Sequence, residues 1–256
     1  MKCNSLIEIL EELSPSNLAE AWDNVGLQIG SAKKEINCVY IALDATDNVV
    51  NDAINKKADL LLTHHPLIFK GVKNITDEEF IGRRIRSLIQ NDINYYAMHT
   101  NFDVTVMADL AADYLKLANQ EILEKTDEAH GIGKIGLLPR EMEIYELCEY
   151  VKEVFSLNHV KVFGDSDQKI KRVAVMPGSG KSYIQSAIRA EVQVMITGDI
   201  DHHEGIDAAA SNLVIIDAGH YGIEHIFVKY MEEFIRNKFA GINVYAEERS
   251  DPFQII

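Results

Sequence analysis

Three short segments of the chain place histidine beside histidine or carboxylate: Thr63-His64-His65-Pro66, His99-Thr100-Asn101-Phe102-Asp103 and His220-Tyr221-Gly222-Ile223-Glu224. Imidazole and carboxylate donors, with no thiol among them, suit zinc, manganese or ferrous iron rather than calcium or an iron–sulfur cluster. A His-x-x-x-acid spacing on a helical turn aims both side chains the same way, so each such pair can reach one metal region. Two adjacent histidines in an extended segment point to opposite faces, and the doublet can therefore feed two ions. This is chemistry for a two-metal centre that performs hydrolysis.

The elements that must carry these residues are legible around them. Each segment follows an apolar run that reads as a buried strand: Leu60-Leu61-Leu62, Ile93 to Met98, and Leu213-Val214-Ile215-Ile216. Ligands on strand ends and the loops after them can converge at one edge of a sheet. Residues 36–65 laid on 170–199 without a gap match Ile36 to Ile170, Val39 to Val173, Ile41 to Val175, Ala53-Ile54 to Ala187-Ile188 and Thr63 to Thr197. Both stretches read strand, turn, amphipathic helix, strand. With a shift, His99-x-x-x-Asp103 also matches His220-x-x-x-Glu224, each followed by a helical pattern, Leu110 to Leu117 and Phe227 to Phe239. The His64-His65 doublet has no counterpart, since Gly198 and Asp199 occupy the aligned positions, so the site is expected to be single and asymmetric. The fold class is α/β: two similar α/β domains related by internal duplication, with mainly parallel sheets. The first spans 1–125, the second 126–225, and the C-terminal part, 226–256, can return to the first.

At 256 residues the chain can bury a sizeable core, and an apolar content of 47% describes a globular protein. The amphipathic start, with Glu8, Glu11 and Glu12, reads as a helix rather than a signal peptide, and no apolar run is long enough for a membrane span. Three scattered cysteines, Cys3, Cys38 and Cys148, argue against a disulfide framework and for the cytoplasm. A formal net charge of −15 repels nucleic-acid backbones, yet bound cations can still attract a small phosphorylated substrate. His202-His203-Glu204 is best read as the polar start of a helix, and His130, His159 and His225 as surface or packing residues. Gly131-Ile132-Gly133-Lys134-Ile135-Gly136 does not open a helix after a strand, which removes the dinucleotide reading. Gly178-Ser179-Gly180-Lys181-Ser182 lacks the first glycine of a phosphate loop, because position 175 is Val, and reads as a tight turn. The single tryptophan, in Trp22-Asp23-Asn24-Val25-Gly26-Leu27, reads as a packing anchor at a capped helix end.

These ordered motifs, with Thr197-Gly198-Asp199 and Gly219-His220-Tyr221-Gly222-Ile223-Glu224, span essentially the whole chain. Together they resemble the GTP cyclohydrolase 1 type 2 homologue family of YbgI-like dinuclear metal proteins. The resemblance implies a dinuclear centre at the junction of the two domains and a homohexamer built as a trimer of dimers. It implies metal ligation by His64, His65, Asp103, His220 and Glu224, with His99 beside them as the residue for orientation or proton transfer. Two divalent ions per chain follow, with zinc, manganese or iron as the candidates. The activity implied is hydrolysis of a nucleotide or related phosphorylated heterocycle. The competing reading is a metal-stabilised oligomeric interaction protein without catalysis.

Overall fold

Apolar runs in the N-terminal part of the chain form strands β1 (Gly26–Ile29), β2 (Cys38–Ala42), β3 (Leu60–Thr63) and β4 (Asn94–Ala97) of the computed structural model, which describes residues 1–256. Helix α1 (Cys3–Leu13) precedes these strands, and α2 (Asp47–Asn55) and α3 (Phe80–Gln90) lie between them. Strands β2, β3 and β4 are buried along their whole length, as strands this rich in apolar and aromatic residues require on both faces of a sheet. The Thr46 side chain caps α2 by accepting from the Val49 N–H at 3.2 Å. Val49, Val50 and Ala53 of α2 then share one core cluster with Leu61, Tyr95 and the α3 residues Ile85 and Leu88.

After β4 come the single turn α4 (Thr100–Phe102), a π-helical turn over Asp103–Met107 and α5 (Ala108–Tyr114). A second sheet follows, with β5 (Ala118–Lys125), β6 (Gly131–Met142), α6 (Ile144–Phe155), β7 (Lys161–Phe163), β8 (Ile170–Ser179), α7 (Ile184–Arg189), β9 (Val194–Gly198), α8 (His202–Ala210) and β10 (Val214–Asp217). The short helix α9 (His220–Glu224) and α10 (Ile226–Lys238) lead to β11 (Asn243–Ala246).

The first sheet has the order β1–β4–β3–β2–β11, and the second β5–β6–β8–β9–β10–β7. In the first, β11 with β2, β2 with β3 and β3 with β4 are parallel, and only β1 is antiparallel to its neighbour. The expectation of mainly parallel sheets does not extend to the second. There β8–β9–β10 form a parallel trio, while β5, β6 and β7 pair antiparallel. The cause is local: the turn between β5 and β6 closes through the Thr126 N–H on the His130 carbonyl at 3.0 Å, and a hairpin enforces antiparallel pairing. The glycine-rich run at 131–136 thus lies in strand β6.

The chain divides into one unit of 1–102 with 227–249 and another of 103–226 with 250–256. Residues 103–125, expected with the first domain, group with the second because β5 is zipped to β6. No helix is long and apolar enough to cross a membrane.

Candidate metal centre

In the first unit, parallel pairing of β3 and β4 sets Thr63 opposite Ala97, so the residues just beyond both strands emerge side by side. His64 and His65 follow β3, and His99 follows β4; the ligand atoms of the three imidazoles all lie within 4.8 Å of one another. The His65 carbonyl accepts from the hydroxyls of Thr63 at 2.8 Å and Tyr95 at 2.7 Å, which fixes the backbone under the doublet. His64 is fully buried.

Every one of these rings is tied at Nδ1. His64 Nδ1 lies 2.7 Å from the Met98 carbonyl, His65 Nδ1 2.8 Å from Asp44 Oδ1, and His99 Nδ1 2.9 Å from Asp23 Oδ1. A carbonyl or carboxylate oxygen can only accept, so each Nδ1 carries a hydrogen, and in the neutral ring Nε2 then presents its lone pair. That is the tautomer a metal ligand needs, held by the outer partners such ligands use. Asp23 is itself anchored, with Oδ2 accepting from the Thr100 N–H at 3.1 Å and hydroxyl at 2.5 Å. Burial opposes its ionisation, but the hydrogen bonds from His99 and Thr100 outweigh burial and hold the carboxyl down at about 2. Beyond β11, Glu247 accepts from the Leu43 N–H at 2.8 Å. Burial, with the nearby Asp44 charge, pushes its carboxyl up to about 7.

The second unit repeats the device. Asp217 of β10 pairs with Thr197 of β9, so Asp199 and the start of α9 leave neighbouring strand ends. His220 Nδ1 lies 2.8 Å from Asp199 Oδ2, while its Nε2 stands 2.9 Å from Glu224 Oε2. Adjacent donors on one cation with bonds of ~2.1 Å sit roughly 3 Å apart, so the pair fits one ion. Glu224 is nearly fully buried, and its ligand atom also lies within 4.8 Å of that of Asp103. Asp103 opens the π-helical turn after α4. Glu224 thus stands between two further candidate ligands, His220 and Asp103.

Gly178 explains the turn that imitates a phosphate loop. Its φ is +76°, and a Cβ there would stand 2.5 Å from Glu224 Oε1 and 3.8 Å from His220 Nε2. The glycine gives the carboxylate its space. Asp217, at the end of β10, accepts from the N–H groups of Ile200 and Gly219 and pairs with Lys161 at 2.8 Å, and so braces the strand ends.

His202 and His203 are exposed at the start of α8 and join no cluster of three metal-ligating side chains. His130 pairs with Asp127 at 2.9 Å, and His159 and His225 pack against Phe253 and Tyr221. Sequence reasoning gave no role to Asp23, Asp44 or Asp199, although Asp23 and Asp199 stand within the motifs quoted above; Asp44 has no signal beyond an acid shortly after a strand. Trp22 is not a packing anchor, since it is 57% exposed.

The chain is similar to known proteins along its whole length. A Clostridium perfringens protein described as a GTP cyclohydrolase 1 type 2 homolog is 35% identical over 262 residues, covering 100% of both chains. The crystal structure of a Staphylococcus aureus hypothetical protein superposes with a TM-score of 0.91 at 32% identity, covering 100% of this chain and 99% of that one. Reduced HcgD from Methanocaldococcus jannaschii superposes with a TM-score of 0.85 at 31% identity, over 96% and 97% of the two chains. The model of the Duf34/NIF3 (NGG1p interacting factor 3) family matches residues 1–252, and the chain belongs to that family, with the GTP cyclohydrolase 1 type 2 homologues among its relatives.

Proposed function

We propose that the chain is a divalent-metal-dependent hydrolase acting on a nucleotide or related phosphorylated heterocycle. In this reading His64, His65, Asp103, His220 and Glu224 are the ligands of one dinuclear centre, the set that the family resemblance implies. The observation that carries it is the common tethering of the histidines: each candidate ring has Nδ1 bound to a carbonyl or carboxylate, which leaves Nε2 as a donor. When bound, two divalent cations supply Lewis-acid polarisation and lower the pKa of a water. The chain's own residues do the rest. Asp44 and Asp199 orient the ligand rings. Asp23 holds the proton of His99 at Nδ1, so that Nε2 of His99 can take a proton from the nucleophile or return it to the leaving group. The description of the relatives as GTP cyclohydrolase 1 type 2 homologs brings purine-ring opening in as the first reaction to assay.

The same reading includes an internal duplication, supported by the matching order β2–α2–β3 and β8–α7–β9 and by the parallel trios β2–β3–β4 and β8–β9–β10. The test is reconstitution with zinc, manganese or iron, followed by metal analysis and assays of nucleotide ring opening and phosphate release. Two ions per chain are expected, with lower content in His64→Ala and Glu224→Ala. Asp103→Asn should abolish turnover while the fold persists. If the fully metallated protein turns over no nucleotide, the non-catalytic interaction protein replaces this reading.

A further inference from the structure

Two aromatic side chains stand exposed beside the imidazole cluster of the first unit, and the fold holds them there. Trp22 and Phe69 are 57% and 46% exposed, with ring centroids 5.6 Å apart. Each also meets the His99 ring edge-on, at 6.0 Å and 6.3 Å. Neither position is left to chance. Asp23, next to Trp22, is bound by His99 and Thr100. Ile68, next to Phe69, accepts from Asn24 Nδ2 at 2.5 Å and donates to Gln28 Oε1 at 2.9 Å. Hydrogen bonds on both sides thus hold two large apolar rings where water reaches them, an arrangement that hydrophobic burial alone would disfavour.

Phe69 also lines a cleft of about 420 Å³, of a size that suits a small ligand. Leu67 and Ile81 form part of its apolar wall, and Lys70, Lys73 and Glu79 line it as well. Both lysines are exposed. On a chain of net charge −15, two lysines next to exposed aromatic rings are a local exception that favours an anion attached to a flat ring. Base–aromatic stacking and lysine–phosphate attraction are the usual means of holding a nucleotide without reading its hydrogen-bonding edge.

We propose that Trp22 and Phe69 form the seat for the planar heterocycle of a nucleoside monophosphate, with Lys70 and Lys73 taking its phosphate. Stacked there, the ring has its edge toward His99. This inference rests on the metal-centre reading for the identity of the reaction site, but the seat belongs to the first unit's own residues and can be tested apart from turnover.

Trp22 is the only tryptophan, so its fluorescence reports on the seat directly. The whole protein, metal-free and metal-loaded, is titrated with GMP, with guanosine and with ribose 5-phosphate, while metal content and sedimentation are followed in parallel. Saturable quenching by GMP in both forms is expected, with no quenching by ribose 5-phosphate. Phe69→Ala should weaken GMP binding about tenfold and leave metal content unchanged. Lys70→Ala/Lys73→Ala should weaken GMP and not guanosine. Circular dichroism confirms that the variants are folded. Absence of quenching with two ions bound overturns the seat alone, whereas quenching in a protein that binds no metal overturns the metal centre and leaves the seat. Ribose 5-phosphate binding as tightly as GMP, or Phe69→Ala dissociating an oligomer without affecting GMP, also overturns it, the latter by showing the pair to be a contact between copies.

Discussion

The acidic residues that hold the histidines deserve as much weight as the histidines. Asp44 fixes the ring of His65 and Asp199 that of His220, in each case from 21 residues away in sequence. Asp23 reaches His99 across 76 residues. Histidine and acid at helical spacing announce a metal site in the sequence, because ligands cluster on strand ends. Their partners do not, because an isolated Asp in a loop looks the same whether or not a ring leans on it. Outer partners of this kind tune metal affinity by about 10- to 100-fold. Asp44→Ala and Asp199→Ala should each weaken metal binding by that order in a competition titration, with little change in circular dichroism. Unchanged affinity in both would remove the tethering argument. Glu247 gives a separate prediction in metal-free protein. Its carboxyl lies at about 7 in the fold against a reference of 4.5, with burial as the main cause. The fold therefore favours the protonated form: this contribution is complete below pH 4.5 and is lost as pH rises through 7. Glu247→Gln should thus be more stable than the parent at pH 8 by on the order of 3 kcal/mol relative to pH 4, measured by denaturant unfolding.

Among the elements, the parallel trios were legible and the antiparallel strands were not. Leu60-Leu61-Leu62 and Val194-Met195-Ile196 have no exposed residue, and so continuous an apolar run admits few other readings. Strand β5 carries Glu121 and Glu124 and is largely exposed, so its sequence lacks the signal that marks a buried strand. Strand β6 contains Gly131, Gly133, Gly136 and Pro139, residues that read as loop when seen alone. Pairing partners, not propensity, make it a strand. Gly178 shows the same limit at a single position: the sequence reveals a turn, and only the packed structure reveals the carboxylate that fills the missing Cβ. A comparison isolates that effect. Gly178→Ala and Gly241→Ala both force alanine into positive φ, +76° and +91°, but nothing lies within 4 Å of a Cβ at Gly241. Both should lose about 1 kcal/mol from backbone strain. Only Gly178→Ala should also lower metal occupancy, because Glu224 must move; equal occupancy in the two variants would show that the carboxylate does not depend on this space.

For the molecule as a whole, the balance of 40 acidic against 25 basic residues makes the ions more than ligands to be counted. A cluster of carboxylates and neutral imidazoles without cations concentrates negative charge, while the apolar strands beneath it are buried whether or not an ion is present. Val173, Val194 and Ile196 in the second unit are as fully buried as Leu60 and Leu62 in the first. Cores of that kind do not require metal to form, which separates the two functional readings. A structural centre would be coordinatively closed and its removal would unfold the protein, as in small zinc domains. An open catalytic centre contributes only its binding free energy, ~2.7 kcal/mol for each ion when free metal is at 100 times Kd. For a chain of this size each kcal/mol is worth roughly 2–4 °C. Chelation should therefore lower Tm by about 5–10 °C for each ion removed, leave the far-ultraviolet circular dichroism intact at ambient temperature, and be reversed by adding metal back. Collapse of the helical signal on chelation at ambient temperature would favour the metal-stabilised interaction protein over the hydrolase.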